Sequence, residues 1–285
     1  MKLSVIICTH NPRADHLART LAGLHGQTLP RSDWELIVVD NASTPPVVLP
    51  EPAAGFARVE REPALGQVAA RLCGIAAAAG DLLVWVDDDN VLAPPYLATA
   101  RDLAQRWPQL GAFGGQVHPQ CAVPPRPWFA ARLGRLAIRE FSTETRSPRL
   151  EPATAPCGAG LCVRADVARQ YRAGVLGDPA RAALGHAGRT LGAGDDLDLV
   201  LTAVEMGREV GRLPTLELDH LIPAERLTLR YFARITRAQA RAERALLQSG
   251  RPVVTSPAAV RAARRAHWKW STIDTLLALL PAGKE

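Results

Sequence analysis

Lysine is nearly missing from this chain. It occurs only at Lys2, Lys269 and Lys284, although lysine and arginine together number 34. The positive charge therefore rests on guanidinium groups, which bind planar anions through paired hydrogen bonds. A formal net charge of +6 points to anionic partners: a nucleotide, a nucleic acid or an acidic lipid surface. Long apolar runs are also lacking. The best candidate for a spanning helix, 276–280, is cut at Pro281, and Met1 and Lys2 lead straight into Leu3 to Ile7, too short a run for a signal peptide and without a cleavage pattern. Neither export nor membrane insertion is expected. The cysteines Cys8, Cys73, Cys121, Cys157 and Cys162 are odd in number and scattered, which argues against a disulfide framework and fits a reducing cytoplasm. Cys157 and Cys162 have no second Cys or His pair at zinc-site spacing. No GxGxxG opens the first expected helix and no GxxxxGK[ST] occurs, which argues against a dinucleotide-binding Rossmann site and a P-loop.

What the chain does carry is the run VWVDDDN, residues 84–90. Three carboxylates follow a strand-like apolar stretch, so Asp87, Asp88 and Asp89 should stand at the carboxyl end of a strand, where open α/β sheets place ligands. On an extended chain alternate residues face the same way, which would make Asp87 and Asp89 a pair able to share a hard divalent ion. Taken alone, an acidic surface turn is the plainer reading of the run.

The surrounding pattern alternates strands with helices. Residues 2–8 read as a buried strand ending at Thr9-His10-Asn11-Pro12, with Asn11 as helix cap and Pro12 at the first helical position. Leu17, Leu21 and Leu24 then recur at helical spacing, and a second strand, 35–39, ends at Asp40-Asn41. A short strand around Val59 leads to a helix burying Leu65, Leu72, Ile75 and Ala79 and closed by Gly80; a further helix is expected from about Pro95 to Trp107. This order implies a mostly parallel sheet whose strand ends meet at one edge, bringing Thr9, Asp40 and Asp87 to Asp89 to a single crevice. Residues 116–156 form a Pro- and Arg-rich stretch with Trp128 inside it, of a length that is usually functional or disordered. Order resumes at Cys157-Gly158-Ala159-Gly160, and Asp195-Asp196 opens another helix. Leu213 to Asp219 is a last extended piece, closed by His220. Beyond Pro223 lie Arg/Ala-rich helices with one apolar stripe, Leu227, Tyr231, Ile235, Ala238, Ala242 and Leu246, expected to pack on the main domain or on a partner. The final stretch, with Arg261, Arg264, Arg265, Trp268, Lys269 and Trp270, suits either a membrane-surface helix or a packed helix with a solvated basic face.

Seven pieces in order, SVIICTHNP, LIVVDNAS, LGQVAARLCGI, VDDDN, CGAG, GDDLDL and HLIPAERL, resemble the family 2 glycosyltransferases of GT-A fold over residues 3 to about 227. The resemblance implies a nucleotide-sugar donor, UDP-linked, and a hydroxyl acceptor that is a glycan, lipid-linked or of another kind. It gives Thr9 and Asp40 to base and ribose, with Asp40 accepting the imide N–H of uracil; a turn residue bonding its own backbone is the other reading of Asp40. Arg71 would contact the nucleotide, or is a surface helix arginine. Asp87 and Asp89 correspond to the DxD pair, Asp89 ligating Mg²⁺ or Mn²⁺, with His220 a further ligand and Asp88 near the donor. Arg226 and Arg230 would reach the diphosphate, and Gly158 and Gly160 would let backbone approach donor or acceptor. By the same resemblance Asp196 would be the general base of an inverting displacement; Asp195 stands where the family has Glu, which leaves open which carboxylate acts.

The implied organisation is a GT-A domain over 1–222, with a nucleotide-binding half to about 115 and an acceptor half over 116–222, followed by a helical extension over 223–285. Two other functions fit less well. A nucleotidyltransferase would carry a Gly-rich, Lys/Arg-bearing loop after its first strand. A noncatalytic nucleic-acid binder would rest on the basic tail alone and would show steep salt dependence, so no nucleic-acid partner is expected.

Overall fold

A computed structural model describes residues 1–51, 53–187, 191–248 and 251. The strands are β1 (Leu3–Thr9), β2 (Trp34–Asn41), β3 (Ala57–Glu62), β4 (Leu82–Asp87), β5 (Asn90–Leu92), β6 (Leu110–Cys121), β7 (Thr145–Ser147), β8 (Cys162–Arg164) and β9 (Glu209–Ile222). The helices are α1 (Ala14–His25), α2 (Gln67–Ala77), α3 (Tyr96–Arg106), α4 (Pro127–Ala130), α5 (Ala165–Leu176), α6 (Pro179–Ala182), α7 (Asp195–Glu205) and α8 (Leu229–Gln248). One sheet joins all the strands in the order β3-β2-β1-β4-β8-β6-β9-β5, with β7 also paired to β9. Its first half, β3-β2-β1-β4, is wholly parallel, while β8 is antiparallel to both β4 and β6.

The continuous apolar runs of β1, β2 and β4 arise because helices cover both faces of the sheet. Val5, Ile7, Leu36, Val38, Val84 and Val86 pack on one side with Leu17, Leu21 and Leu24 of α1. Ile6, Ile37, Val39, Leu83 and Trp85 face the other way, against Val68 and Ile75 of α2, Tyr171 of α5 and Leu199 of α7. The in-register pairing of Thr9 with Asp40, and of Cys8 with Asp87, brings three strand ends level at one edge.

Several local expectations are corrected. Helix α1 begins at Ala14 with Arg13 as its N-cap, so Pro12 is not its first residue. Asn11 instead has φ +50° and its side chain accepts the Thr44 N–H at 2.8 Å, tying the end of β1 to the loop after β2. In α2 the buried face is Val68, Arg71 and Ile75, with Gly74 against Ile6; Leu65 precedes the helix and is exposed, as is Ala79. The supposedly irregular stretch after residue 115 starts as β6, which continues through Pro119 to Cys121. Trp128 packs edge-to-face with Phe129 and Phe232, at 5.2 and 5.7 Å between ring centroids, and so fastens α4 to α8.

The apolar stripe is buried as expected at Leu227, just before α8, and at Ile235, Ala238, Ala242 and Leu246, with Tyr231 half-buried; part of it roofs a cavity at the sheet edge, through Tyr231, Ile235, Ala242 and Leu246. The basic tail with Trp268 and Trp270 lies outside the described residues, as does its membrane-surface reading. Among the described residues no helix is long and apolar enough to cross a membrane.

Candidate active site

The cavity has a volume of about 1190 Å³ and is lined by Thr9, Arg71, Asp87, Asp88, Asp89, Gly158, Asp195, Asp196, His220 and Arg226, among others. Residues from six distant stretches of sequence thus meet at one place, as the convergence of strand ends requires. Asp40 and Gly160 are not part of that lining.

Asp87 closes β4, but Asp88 and Asp89 form the turn into β5 and do not continue an extended chain. The alternation argument for Asp87 and Asp89 therefore fails; the turn, not the pleat, brings all three carboxylates to the cavity. Asp88 accepts a hydrogen bond from the Thr9 hydroxyl. Burial and the neighbouring Asp89 push Asp88 up to about 7 and Asp87 up to about 6. Asp89 is the exception. Burial raises it too, but the His220 ring and the Arg226 guanidinium outweigh that and hold it at about 2. Arg226 Nη1 lies 2.8 Å from Asp89 Oδ2 and His220 Nε2 lies 3.5 Å from the same oxygen. His220 Nδ1 donates to the Leu136 carbonyl at 3.0 Å, which fixes the ring with Nε2 toward the carboxylate. Arg226 belongs to a 3₁₀ turn, 224–227, and not to the helix carrying Arg230, which does not line the cavity.

The start of α7 also lines the cavity. Its N-cap is Gly194 at φ +93°, so neither aspartate caps the helix from the N-cap position. Asp195 is 4% exposed and its Oδ2 meets Arg71 Nε at 2.8 Å; Arg71 is itself 3% exposed, which removes the surface-arginine reading. The guanidinium also lies over the Trp85 ring at 5.1 Å. Arg71 Nη1 is buried with no hydrogen-bond partner among the described residues, leaving a donor for a ligand in the cavity. Asp196 is only half-buried and accepts the Gly158 N–H at 3.0 Å and the Leu197 N–H at 2.8 Å. Burial first, then the charge of Asp195, raises its pKa above the ordinary carboxylate range.

Gly158 packs close to both groups: a Cβ there would sit 3.2 Å from Asp196 Cβ and 3.4 Å from Arg71 Nη2. Gly160 serves the core instead. It has φ +70°, its carbonyl accepts the Tyr96 hydroxyl at 2.7 Å, and a Cβ would collide with that same hydroxyl.

Asp40 is also turned away. It is 1% exposed, its Oδ1 and Oδ2 accept the Ser43 and Val47 N–H groups at 3.0 Å each, and it pairs with Arg61. Both oxygens are spent on the loop after β2, so the backbone-bonding reading is the one realised, and Asn41 stands at the cavity in its place. Asp40→Asn is accordingly expected to lower stability by about 1–3 kcal/mol at pH 7 and to leave nucleotide preference unchanged. Burial raises this carboxyl but its hydrogen bonds lower it further, so its pKa lies below the ordinary carboxylate value. Its contribution is present above that value and is lost as pH falls through the folded pKa, so wild type and Asp40→Asn should converge in urea melts in strong acid.

Sequence reasoning missed the arginines Arg132, Arg135 and Arg139 and the residues Gln239 and Glu243 of α8, all of which line the cavity. Only their charge and the stripe of α8 hinted at a role.

Comparison with known proteins agrees with this architecture. The model of glycosyl transferase family 2 matches residues 4–167, from β1 to the start of α5. An uncharacterized glycosyltransferase, YwdF of Bacillus subtilis (strain 168), is 35% identical over 99 residues, which are 34% of this chain and 36% of that protein. Among solved structures, S. aureus TarS has a similar fold, with TM-score 0.52 at 14% identity, covering 85% of this chain and 39% of TarS. The TarS 1–349 structure solved with UDP gives the same TM-score and identity, over 95% of this chain and 71% of that one. The chain thus spans well under half the length of YwdF and of the longer TarS chain it matches. The matched span holds β1, β2, β4 and the three carboxylates after β4, and on it the chain belongs to glycosyl transferase family 2.

Proposed function

We propose that this protein transfers a glycosyl group from a nucleotide-sugar, UDP-linked, to a hydroxyl acceptor with inversion, as one step in building a surface polysaccharide or related glycan. The observation that carries the reading is the meeting of two acidic groups in the lining of one cavity: Asp87 to Asp89 at the sheet edge and Asp196 at the start of α7. The nucleotide is supported by the family and by a fold neighbour whose structure was solved with UDP; Asp40 no longer supports it.

Among the described residues no group of three or more His, Cys, Asp or Glu is arranged as a metal cage. The donor set nonetheless fits Mg²⁺ or Mn²⁺, which keep one or two carboxylates and complete their shell with phosphate and water. The raised pKa values of Asp87 and Asp88 reflect crowded negative charge, which a bound cation would relieve. Asp89 and Asp87 would hold the ion with His220 beside them, and the ion would stabilise the charge growing on the diphosphate as the sugar bond breaks. Arg226 is placed to turn from Asp89 to that diphosphate. Arg71 supplies its free Nη1 hydrogens to the nucleotide side, and Thr9 orients Asp88. Asp196 takes the proton of the acceptor hydroxyl as its oxygen attacks the anomeric carbon from the face away from the nucleotide, a single displacement that inverts the centre. Asp195 is held as the partner of Arg71 and keeps Asp196 basic by repulsion. Location at the inner face of a membrane remains tied to the basic tail beyond the described residues.

The test is calorimetry of UDP, GDP and ADP with and without Mn²⁺. UDP is expected to bind best and to need the ion, and Asp89→Asn to lose at least about tenfold in the metal-dependent affinity, or about 1.4 kcal/mol. Wild-type UDP–Mn²⁺ affinity in Asp89→Asn would remove the metal assignment, and a win for purine nucleotides would remove uridine.

A further inference from the structure

One wall of the cavity is strongly basic and has no part in the site just described. Arg132, Arg135 and Arg139 all line it, on the segment that leads away from β6. Among the described residues their guanidinium groups hydrogen-bond to oxygens of neutral groups: Arg132 to the Trp128 carbonyl, Arg135 to the Gln239 side chain at 3.2 Å, and Arg139 to the Gly134 and Ile138 carbonyls at 2.7 and 2.8 Å. None of the three forms an ion pair among the described residues. Glu151 and Glu243 also line the cavity, so the wall keeps a surplus of positive charge.

The wall is also held in place. Arg139 is bridged to Val117 of β6 by two backbone hydrogen bonds, Val117 N–H to Arg139 O at 2.8 Å and Arg139 N–H to Val117 O at 3.1 Å. Arg135 is locked to α8 in both directions, since Gln239 Nε2 donates to the Arg135 carbonyl at 2.9 Å. Leu136, between them, accepts from His220. The guanidinium groups thus project from backbone pinned to the sheet and to the roof, which lowers the ordering cost of binding. The buried Cys157 thiol, raised to about 11 chiefly by its burial, also feels Arg139, Asp196 and Asp87, which sets Arg139 in one neighbourhood with the base and the acidic turn.

We infer that the acceptor is anionic, and that Arg135 and Arg139, with Arg132 at the rim, bind a phosphate or carboxylate group of it while its hydroxyl is presented to Asp196. Guanidinium groups suit such planar or tetrahedral oxyanions because they donate two hydrogen bonds in a fixed fork. The donor diphosphate is already provided for by the acidic turn with its ion and by Arg226, and although Glu243 feels the charge of Arg135, three arginines against Glu151 and Glu243 leave positive charge for another anion. The inference rests on the transferase reading of the same cavity and names its acceptor class.

Full-length protein is titrated with glycerol 1-phosphate, glucuronate, and the neutral probes glycerol and glucose, with and without saturating UDP and Mg²⁺, by ligand-observed NMR. The anionic probes are expected to bind at least about tenfold tighter than the neutral ones with UDP present, and the relative strength of the two tells phosphate from carboxylate. Arg135→Glu and Arg139→Gln should each abolish that preference while UDP–Mg²⁺ affinity stays within about twofold and melting is unchanged. Arg135 is an exposed side chain, so its variant remains informative if Arg139→Gln fails to fold. Loss of UDP affinity in Arg135→Glu would assign the wall to the donor, and equal binding of neutral and anionic probes, or anion binding that survives both variants, would overturn the inference. Failure of wild type to bind UDP at all strikes the transferase reading instead, and the UDP-free titration then judges the anion site alone.

Discussion

Asp196→Asn is expected to cut the transfer rate at saturating donor by about 10²- to 10⁴-fold, the usual cost of losing a general base, with donor affinity and melting temperature nearly unchanged. The two backbone hydrogen bonds of Asp196 explain the second half of that expectation. An Asn oxygen can still accept from Gly158 or from Leu197, so local structure survives while the proton acceptor is gone. The wild-type rate should fall on the acid side at a pH above the ordinary carboxylate range, because burial and Asp195 both raise this group and a base acts only when ionised. Asp195→Asn is the informative comparison. It removes the repulsion, so the acid limb should move to lower pH, while its damage comes through stability, since Arg71 is left without its partner. Rates measured together with circular dichroism separate the two. Near-normal turnover in folded Asp196→Asn would place the base elsewhere, with Asp195 the first alternative.

The assignment of roles to Asp195 and Asp196 was not legible in the sequence, and the reason is physical. Adjacent residues at a helix start point in different directions, and only the tertiary neighbour Arg71, more than a hundred positions away, decides which carboxylate is neutralised. The sheet edge was far easier to read. The strands β1, β2 and β4 are apolar throughout because both faces are covered, and parallel crossovers then force their ends to one side. The same logic could not tell which end residues turn inward: Asp40 and Thr9 are level in the sheet, yet Asp40 is drawn into the loop by Ser43, Val47 and Arg61. In CGAG the spacing cannot say that Gly158 faces Asp196 and Gly160 faces Tyr96; that follows from which side chains happen to pack there. Strands β5, β7 and β8 have three residues each, too few to show a period, and Pro119 disguised β6, whose pairing with β9 tolerates it. The basic wall was invisible for the same reason, because Arg139 owes its position to one long-range bridge with Val117.

Arg71→Met is expected to destabilise the protein by about 3–5 kcal/mol, the range for removing one partner of a buried ion pair. Arg71 and Asp195 are almost completely buried, and among the described residues no other cation lies at ion-pair distance from Asp195, so the abandoned carboxylate would be left charged in an apolar setting or would have to take up a proton. Asp195→Leu alone should be costly for the mirror-image reason. Together the two changes remove both charges, and the double variant should lose less than the sum of the single losses, by about 1–3 kcal/mol of coupling. Urea midpoints for the four proteins of this cycle decide the matter, and additive losses would show that the pair does not act as a unit. The double variant also isolates the second role given to Arg71. If the arginine were only structural, restoring stability would restore nucleotide binding. Because its buried Nη1 has no hydrogen-bond partner among the described residues and the side chain lines the cavity, the folded double variant should still bind UDP–Mn²⁺ about tenfold or more weakly than wild type, the size expected for a lost charged hydrogen bond. Full recovery of that affinity would confine Arg71 to holding α2 against α7.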